Sequence, residues 1–193
     1  MNYPEYVEVN NRRYKINSDF RVALECNKIA QDVNIGDTER ALAIIYKLFG
    51  DEALDCEEDY EMLLKLAIKY LKCGEEDISN EKEEPDMDFF QDEKYIKSSF
   101  KYDYQYNPYD LDYLHWYEFW NDLCNLSDNE FGNCCILNRI RQLRRIKPGK
   151  IKDLEERKKV IEAQKRVALK KPKKVQSDKA KESARNFYKE LFK

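Results

Sequence analysis

The stretch LDYLHWYEFWNDL, Leu111 to Leu123, decides how this chain is read. It carries both tryptophans and the single histidine of a 193-residue polypeptide that is otherwise strongly polar. Three uses compete for such a segment: an aromatic cage around a ligand, a catalytic centre, or the interior of a small helical protein. On a helix, Trp116, Phe119, Trp120 and Leu123 fall at i, i+3, i+4 and i+7, and Tyr113, Tyr117 and Cys124 widen that face. Rings that enclose a cation must converge from several directions, which one helix cannot supply. Burying each large ring contributes roughly 1.5–3 kcal/mol. The segment therefore reads as a core stripe, with His115 off its centre, at the surface or on the helix flank.

Outward from this stripe, composition narrows the class. Charged residues make up 38% of the chain and aromatics 13%, and that many rings do not suit a disordered polymer. The length gives room for one sizeable core. No run approaches the roughly 18 apolar residues that span a bilayer, and MNYPEYVEVNN lacks the apolar region of a signal peptide. A soluble protein of the compartment where it is made is expected. The net charge of −3 hides an asymmetry. Residues 1–130 hold 31 acidic and 14 basic side chains, residues 131–193 hold 7 and 21. Blocks of opposite sign either attract each other or present an acidic body and a basic arm to different partners.

Glycine and proline map the helix ends, because glycine favours the position after a helix and proline is excluded from its interior. YVEVNNRRYKI alternates about Asn10-Asn11 and predicts a β-hairpin. Asn17-Ser18-Asp19 offers an N-cap to a helix carrying Val22, Cys26, Ile29, Ala30 and Val33, ended by Gly36. Asp37-Thr38 caps a second helix that closes at Gly50. A third spans about Glu57 to Cys73. Residues 75–88 form an acidic, solvated loop. A fourth helix carries Phe89, Tyr95, Ile96 and Phe100, and the tryptophan segment predicts a fifth from Tyr109 to Leu126. Ser127-Asp128-Asn129-Glu130 has the form of a capping box and predicts a sixth, through Phe131, Cys135, Ile136 and Ile140 to Ile146. Beyond Pro148-Gly149 a very polar helix covers 151–171. After Pro172 a last one shows Ala180, Ala184, Phe187, Tyr188 and Leu191 on one face. The expected fold is mainly α: a compact acidic domain of about six helices over residues 1–147 with a short N-terminal β-hairpin, and a basic helical extension over 148–193. Phe20, Trp116, Phe119, Trp120, Leu123, Leu126, Phe131 and Ile136 are its expected core.

Catalytic and cofactor motifs are absent: there is no phosphate-binding glycine loop, no H-E-x-x-H and no G-x-S-x-G. Acidic pairs such as Glu57-Glu58 lie on polar segments, not in a shielded cleft. The six cysteines show no C-x-x-C spacing and have one histidine for company, so reduced, mostly buried thiols are expected and no metal site. The reading is a non-enzymatic protein without a cofactor.

Leu114-His-Trp116-Tyr-Glu-Phe119, with Leu123 and Leu126, Phe131 and the basic helix ILNRIRQLRRIK, resembles a family of bacteriophage proteins, the gene-product-fifteen-type tail assembly chaperones of long-tailed phages. Ile16-Asn-Ser-Asp19-Phe20-Arg21 resembles that family's entry into its first helix. The two matches anchor residues ~5–146. The resemblance implies an assembly factor of the host cytoplasm. It would bind the tape measure protein, keep it soluble while tail-tube subunits polymerise around it, and be absent from the mature virion. Arg139, Arg141, Arg145 and the Phe187/Tyr188/Leu191 stripe are the candidate partner-binding residues. That stripe either lies against a partner helix or folds back on the chain's own acidic domain. Self-association is an open expectation, and no membrane contact is expected.

Two rival readings stand beside this one. A nucleic-acid-binding module would use the basic residues of 139–174 on phosphates, but no aromatic for base stacking lies between Ile136 and Lys174 and the acidic body would repel the polymer. A permanent structural part of the tail is the other.

Overall fold

The computed structural model describes residues 3–74, 85–128 and 134–170. They form a mainly α protein with one two-stranded antiparallel hairpin. Their contacts divide them into two units, the first from 3–74 and 113–118, the second from 85–112, 119–128 and 134–170. Residues 148–170 thus belong with the second unit.

In the first unit, β1 (Tyr6–Val9) pairs with β2 (Arg12–Lys15). Asn10 and Asn11 turn the chain at φ 48° and 63°, the left-handed pair that a two-residue hairpin turn demands. Val9, Tyr14 and Ile16 are buried beneath it. The turn is anchored by Asp59, whose buried carboxylate accepts from Asn10 Nδ2 at 2.7 Å, Tyr14 Oη at 2.6 Å and Arg12 Nη1 at 2.9 Å. Hydrogen bonds from Tyr14 first, then Asn10 and Arg12, hold this carboxyl below its ordinary range against the opposing pull of desolvation. A carboxylate held low contributes stability that is complete above the ordinary value of about 4 and is lost as pH falls through the depressed one. Asp59→Asn is therefore expected to lower the urea midpoint at neutral pH and to flatten its decline as the pH falls below about 4.

Helix α1 (Phe20–Gln31) begins where Asp19 caps it, accepting from the Arg21 N–H at 2.8 Å. It buries Phe20, Ala23, Leu24 and Cys26. The sequence predicts continuation to Gly36, but the Asp32 side chain accepts from the Asn34 N–H at 2.8 Å, and this local turn leads the chain out of the helix. Helix α2 (Asp37–Phe49) ends at Gly50, at φ 80°. Its Arg40 is buried and bonded to Asp37 at 2.6 Å and to the Asp32 and Ile35 carbonyls, which fastens the connection from α1. Helix α3 (Tyr60–Leu71) packs on α2.

The tryptophan segment enters this unit as an extended strap. The Phe20 N–H donates to the Leu114 carbonyl at 2.9 Å and the Trp116 N–H to the Ser18 carbonyl at 2.8 Å. This pairing is why the fifth predicted helix starts late: residues 108–110 make a 3-10 turn, and α5 (Trp116–Cys124) begins only beyond the strap.

In the second unit, α4 (Glu93–Asp103) and α6 (Ile136–Arg145) pack together, and α7 (Leu154–Val167) packs on α6. Phe100 and Phe119 stack with centroids 5.4 Å apart. The expected start of the sixth helix at Ser127 is not observed, because the Ser127 hydroxyl and N–H both donate to Asp103, at 2.8 and 2.7 Å. Helix α6 is capped instead by Cys135, whose sulfur accepts from the Asn138 N–H. Residues 75–84, 129–133 and the helix predicted after Pro172 lie outside the described residues.

Candidate docking site

The first unit presents an open groove. Its walls are the outer face of the hairpin with Glu5, the last turn of α2 with Asp51, the strap residues Tyr113 and His115, and Glu118 in the first turn of α5. The strand register explains the first wall. Cross-strand partners share a face, so Tyr6 and Lys15, Glu8 and Arg13 point one way while Val7 and Tyr14 point the other. Tyr6, Tyr46 and Tyr113 stand at the rim, 40%, 47% and 56% exposed. Ile16, Leu48 and Phe49 contribute to the lining but are themselves buried.

The charges of the groove are unevenly satisfied. Lys47 pairs with Glu25 at 2.6 Å, and the Arg13 guanidinium lies 3.9 Å from the Tyr6 ring centroid. Among the described residues, Glu5, Glu8, Asp51 and Glu118 have no ion-pair partner. The surface is thus rimmed by phenol rings and carries charges of both signs, with Glu5, Glu8, Asp51 and Glu118 beside Arg13, Lys15 and Lys47, a combination suited to holding a charged, partly apolar segment.

His115 is 7% exposed, which corrects its expected surface position. It precedes the first residue of α5, and its Nδ1 accepts from the Tyr117 N–H at 3.0 Å, so it caps that helix. Its ring stacks on Tyr3 at 4.5 Å, and Tyr117 stacks on Tyr70 at 5.1 Å. Burial lowers the imidazole pKa, with Pro4 and Glu5 opposing. The residue caps and packs.

A family model described as Bacteriophage Gp15 protein matches residues 2–169 of this chain. The chain belongs to that family. No curated protein and no solved structure matches it.

In this member of the Gp15 family the expected core residues divide. Phe20, Trp116, Phe119, Leu123 and Leu126 are buried, Trp120 and Ile136 half-buried, and Phe131 lies outside the described residues. Tyr113 and Cys124, expected to widen the core face, are exposed. Cys26 and Cys135 are buried, Cys56, Cys73 and Cys134 half-buried, and all six thiols are free. Among the described residues no group of three or more His, Cys, Asp or Glu gathers where a metal could sit, and no helix is long and apolar enough to cross a membrane.

The arginines of α6 differ most from their expected use. Arg141 and Arg145 both reach Asp86, at 3.1 and 2.5 Å. Arg144 grips Asp92 with two nitrogens at 2.6 and 2.7 Å and donates to the Asp86 and Val167 carbonyls. Arg139 alone of the candidate arginines is exposed without such a partner among the described residues. Part of the acidic stretch read as a solvated loop is therefore the internal counter-charge of α6. This pairs three of the cations that the nucleic-acid reading requires, and nearly buries Arg144, while Arg145 stays exposed. Phe187, Tyr188 and Leu191 lie outside the described residues.

The groove residues were missed because nothing in the sequence distinguishes an exposed tyrosine from a buried one. The one available signal was the hairpin alternation, which set Tyr6 and Glu8 opposite Val7 and Val9.

Proposed function

We propose that this Gp15 family member is a tail assembly chaperone. It binds the tape measure protein, keeps it soluble and helps tail-tube subunits polymerise around it in the host cytoplasm, without catalysis and without remaining in the virion. Beside family membership, the observation that supports this reading is the tyrosine-rimmed groove with its unpaired carboxylates. A long helix-rich partner exposes apolar stripes until it is enclosed, and phenol rings cover such stripes while tolerating water at their hydroxyl ends. The surplus of carboxylates keeps copies of the chaperone apart and steers cationic segments of the partner inward. Open geometry and a small apolar area favour modest affinity, which suits a protein that tube subunits must displace.

Co-expression with the tape measure protein of the same phage tests the proposal. The tape measure protein is expected to move from the insoluble to the soluble fraction, and to co-purify with the chaperone. Tyr46→Ala with Tyr113→Ala is expected to weaken the complex by about 10–30-fold, the effect of truncating two aromatic contacts of roughly 1 kcal/mol each. Unchanged tape measure solubility would overturn the proposal. So would a fixed copy number of this protein in purified particles, which would make it a tail component.

A further inference from the structure

The groove runs along an open strand edge. In a two-residue hairpin the residues flanking the turn, here Val9 and Arg12, form a hydrogen-bonded pair, and such pairs alternate with non-bonded ones along the ladder. The Ile16 N–H donates to the Glu5 carbonyl at 2.8 Å, which fixes the same phase from the other end. Val7 and Tyr14 therefore bond to each other, whereas the backbone groups of Arg13 and Lys15 point away from β1. Asn17 continues this alternation, and its N–H donates to the Leu48 carbonyl at 2.7 Å in the groove wall. The edge is thus already used once, at its end nearest α2. Among the described residues, the N–H and C=O groups of Arg13 and Lys15 have no hydrogen-bond partner.

There is space beside both residues. The groove borders Arg13, Lys15 and Asn17, and a smaller depression borders Arg13 and Tyr14, with Glu52, Asp55 and Cys56 on its other walls. Arg13 lines both, so the two adjoin along β2. Charge alone does not choose what fills them, because Arg13 and Lys15 on the strand are matched by Asp51, Glu52 and Asp55 on the walls. The backbone chooses. A helix spends its N–H and C=O groups internally, so only an extended stretch can pair with those of Arg13 and Lys15. A second copy of β2 is disfavoured by its side chains. Cross-strand neighbours share a face, and the cations of one edge would meet the same cations of the other. The occupant is a different sequence, with acidic or uncharged side chains beside Arg13 and Lys15.

We infer that the partner enters the site as an extended stretch that adds a third strand along β2, bonded to the backbone of Arg13 and Lys15. The inference rests on the groove being the partner site proposed above, and it gives the conformation of the stretch that the partner presents there. Pairing at two residues supplies about four backbone hydrogen bonds over a strand of roughly four or five residues. Each contributes little net of its exchange with water, so the contact stays weak enough to be displaced. Backbone pairing also tolerates many sequences, which suits a chaperone of a long chain.

The test titrates short overlapping fluorescein-labelled peptides, tiled across the tape measure protein of the same phage, into the full chain. Arg13→Pro removes the guanidinium and the outward N–H, Arg13→Ala only the guanidinium, and neither touches the hairpin's own ladder. Peptide binding is expected to weaken about tenfold in the first and less than about threefold in the second. Methylating backbone nitrogens of the tightest peptide adds a check that leaves the protein unchanged. Methylation at alternate residues is expected to abolish binding in one phase and to spare it in the other, since a strand turns alternate N–H groups to each edge. If Arg13→Pro disturbs the fold by circular dichroism, the methylation result alone decides. Equal losses in the two variants, methylation effects that ignore phase, or no peptide bound would overturn the inference. The intact tape measure protein, measured on the same proteins, separates the two ideas. Binding lost in Tyr46→Ala/Tyr113→Ala but unchanged in Arg13→Pro means that this inference alone falls. Phase-dependent peptide binding without binding of the intact protein means that the proposed function falls.

Discussion

Asp92→Ala is expected to destabilise the protein by about 3–5 kcal/mol, because it leaves a guanidinium with 10% side-chain exposure beside an empty place. Asp92 is 1% exposed and accepts both hydrogen bonds of the Arg144 fork. It also accepts from the Asp88 N–H at 3.0 Å, so its loss frees the stretch before α4 as well. The remaining Arg144 bonds, to the Asp86 and Val167 carbonyls, hold α6 against both that stretch and the end of α7. Gln164 reinforces the second attachment, donating to the Leu143 and Ile146 carbonyls at 2.9 and 2.7 Å. Urea denaturation followed by far-ultraviolet circular dichroism checks the value. The double variant Asp92→Leu/Arg144→Met, which removes both charges and retains apolar volume, is expected to recover more than half of the loss. A single variant as stable as the wild type would show that α6 is held by its apolar face alone.

Trp116→Ala should cost a similar amount, about 3–5 kcal/mol, for a different reason. Trp116 is the largest fully buried side chain, 1% exposed, and its Nε1 donates to the Leu71 carbonyl at 3.2 Å at the end of α3. Its N–H holds the strap to Ser18. Truncation therefore opens a cavity and strips a carbonyl of its donor at one stroke. Trp116→Phe keeps most of the volume and is expected to cost roughly 1–2 kcal/mol, chiefly through the lost hydrogen bond. Equal losses for Ala and Phe would mean that the hydrogen bond, not the ring, fastens α3 to the strap. The same denaturation experiment distinguishes the outcomes.

These two residues show which parts of the protein were legible. Trp116, Phe119 and Leu123 could be read as buried because a helical repeat of large apolar side chains has few other uses. The hairpin could be read from Asn10-Asn11, since two consecutive left-handed residues favour asparagine. Helix starts were less legible, because a capping side chain has more than one acceptor available. Ser127 has the right spacing to Glu130, yet it donates to Asp103, a choice made by packing across 24 residues of sequence. Long-range pairing likewise turned 114–115 from predicted helix into a strap. The charge pattern misled most. A run of arginines on one helix looks outward-facing, but α6 faces Asp86 and Asp92, which come from a stretch some fifty residues earlier. The groove was invisible for the converse reason: its tyrosines and carboxylates come from three separate segments, each unremarkable alone.

Docking through the tyrosine-rimmed groove is best tested by hydrogen-exchange mass spectrometry of the full chain, with and without the soluble tape measure protein. Protection is expected in peptides covering 3–9, 12–18, 46–51 and 113–118, with little change in α6 and α7. Protection confined to α6 and α7, or no protection at all in a complex that forms, would contradict the account.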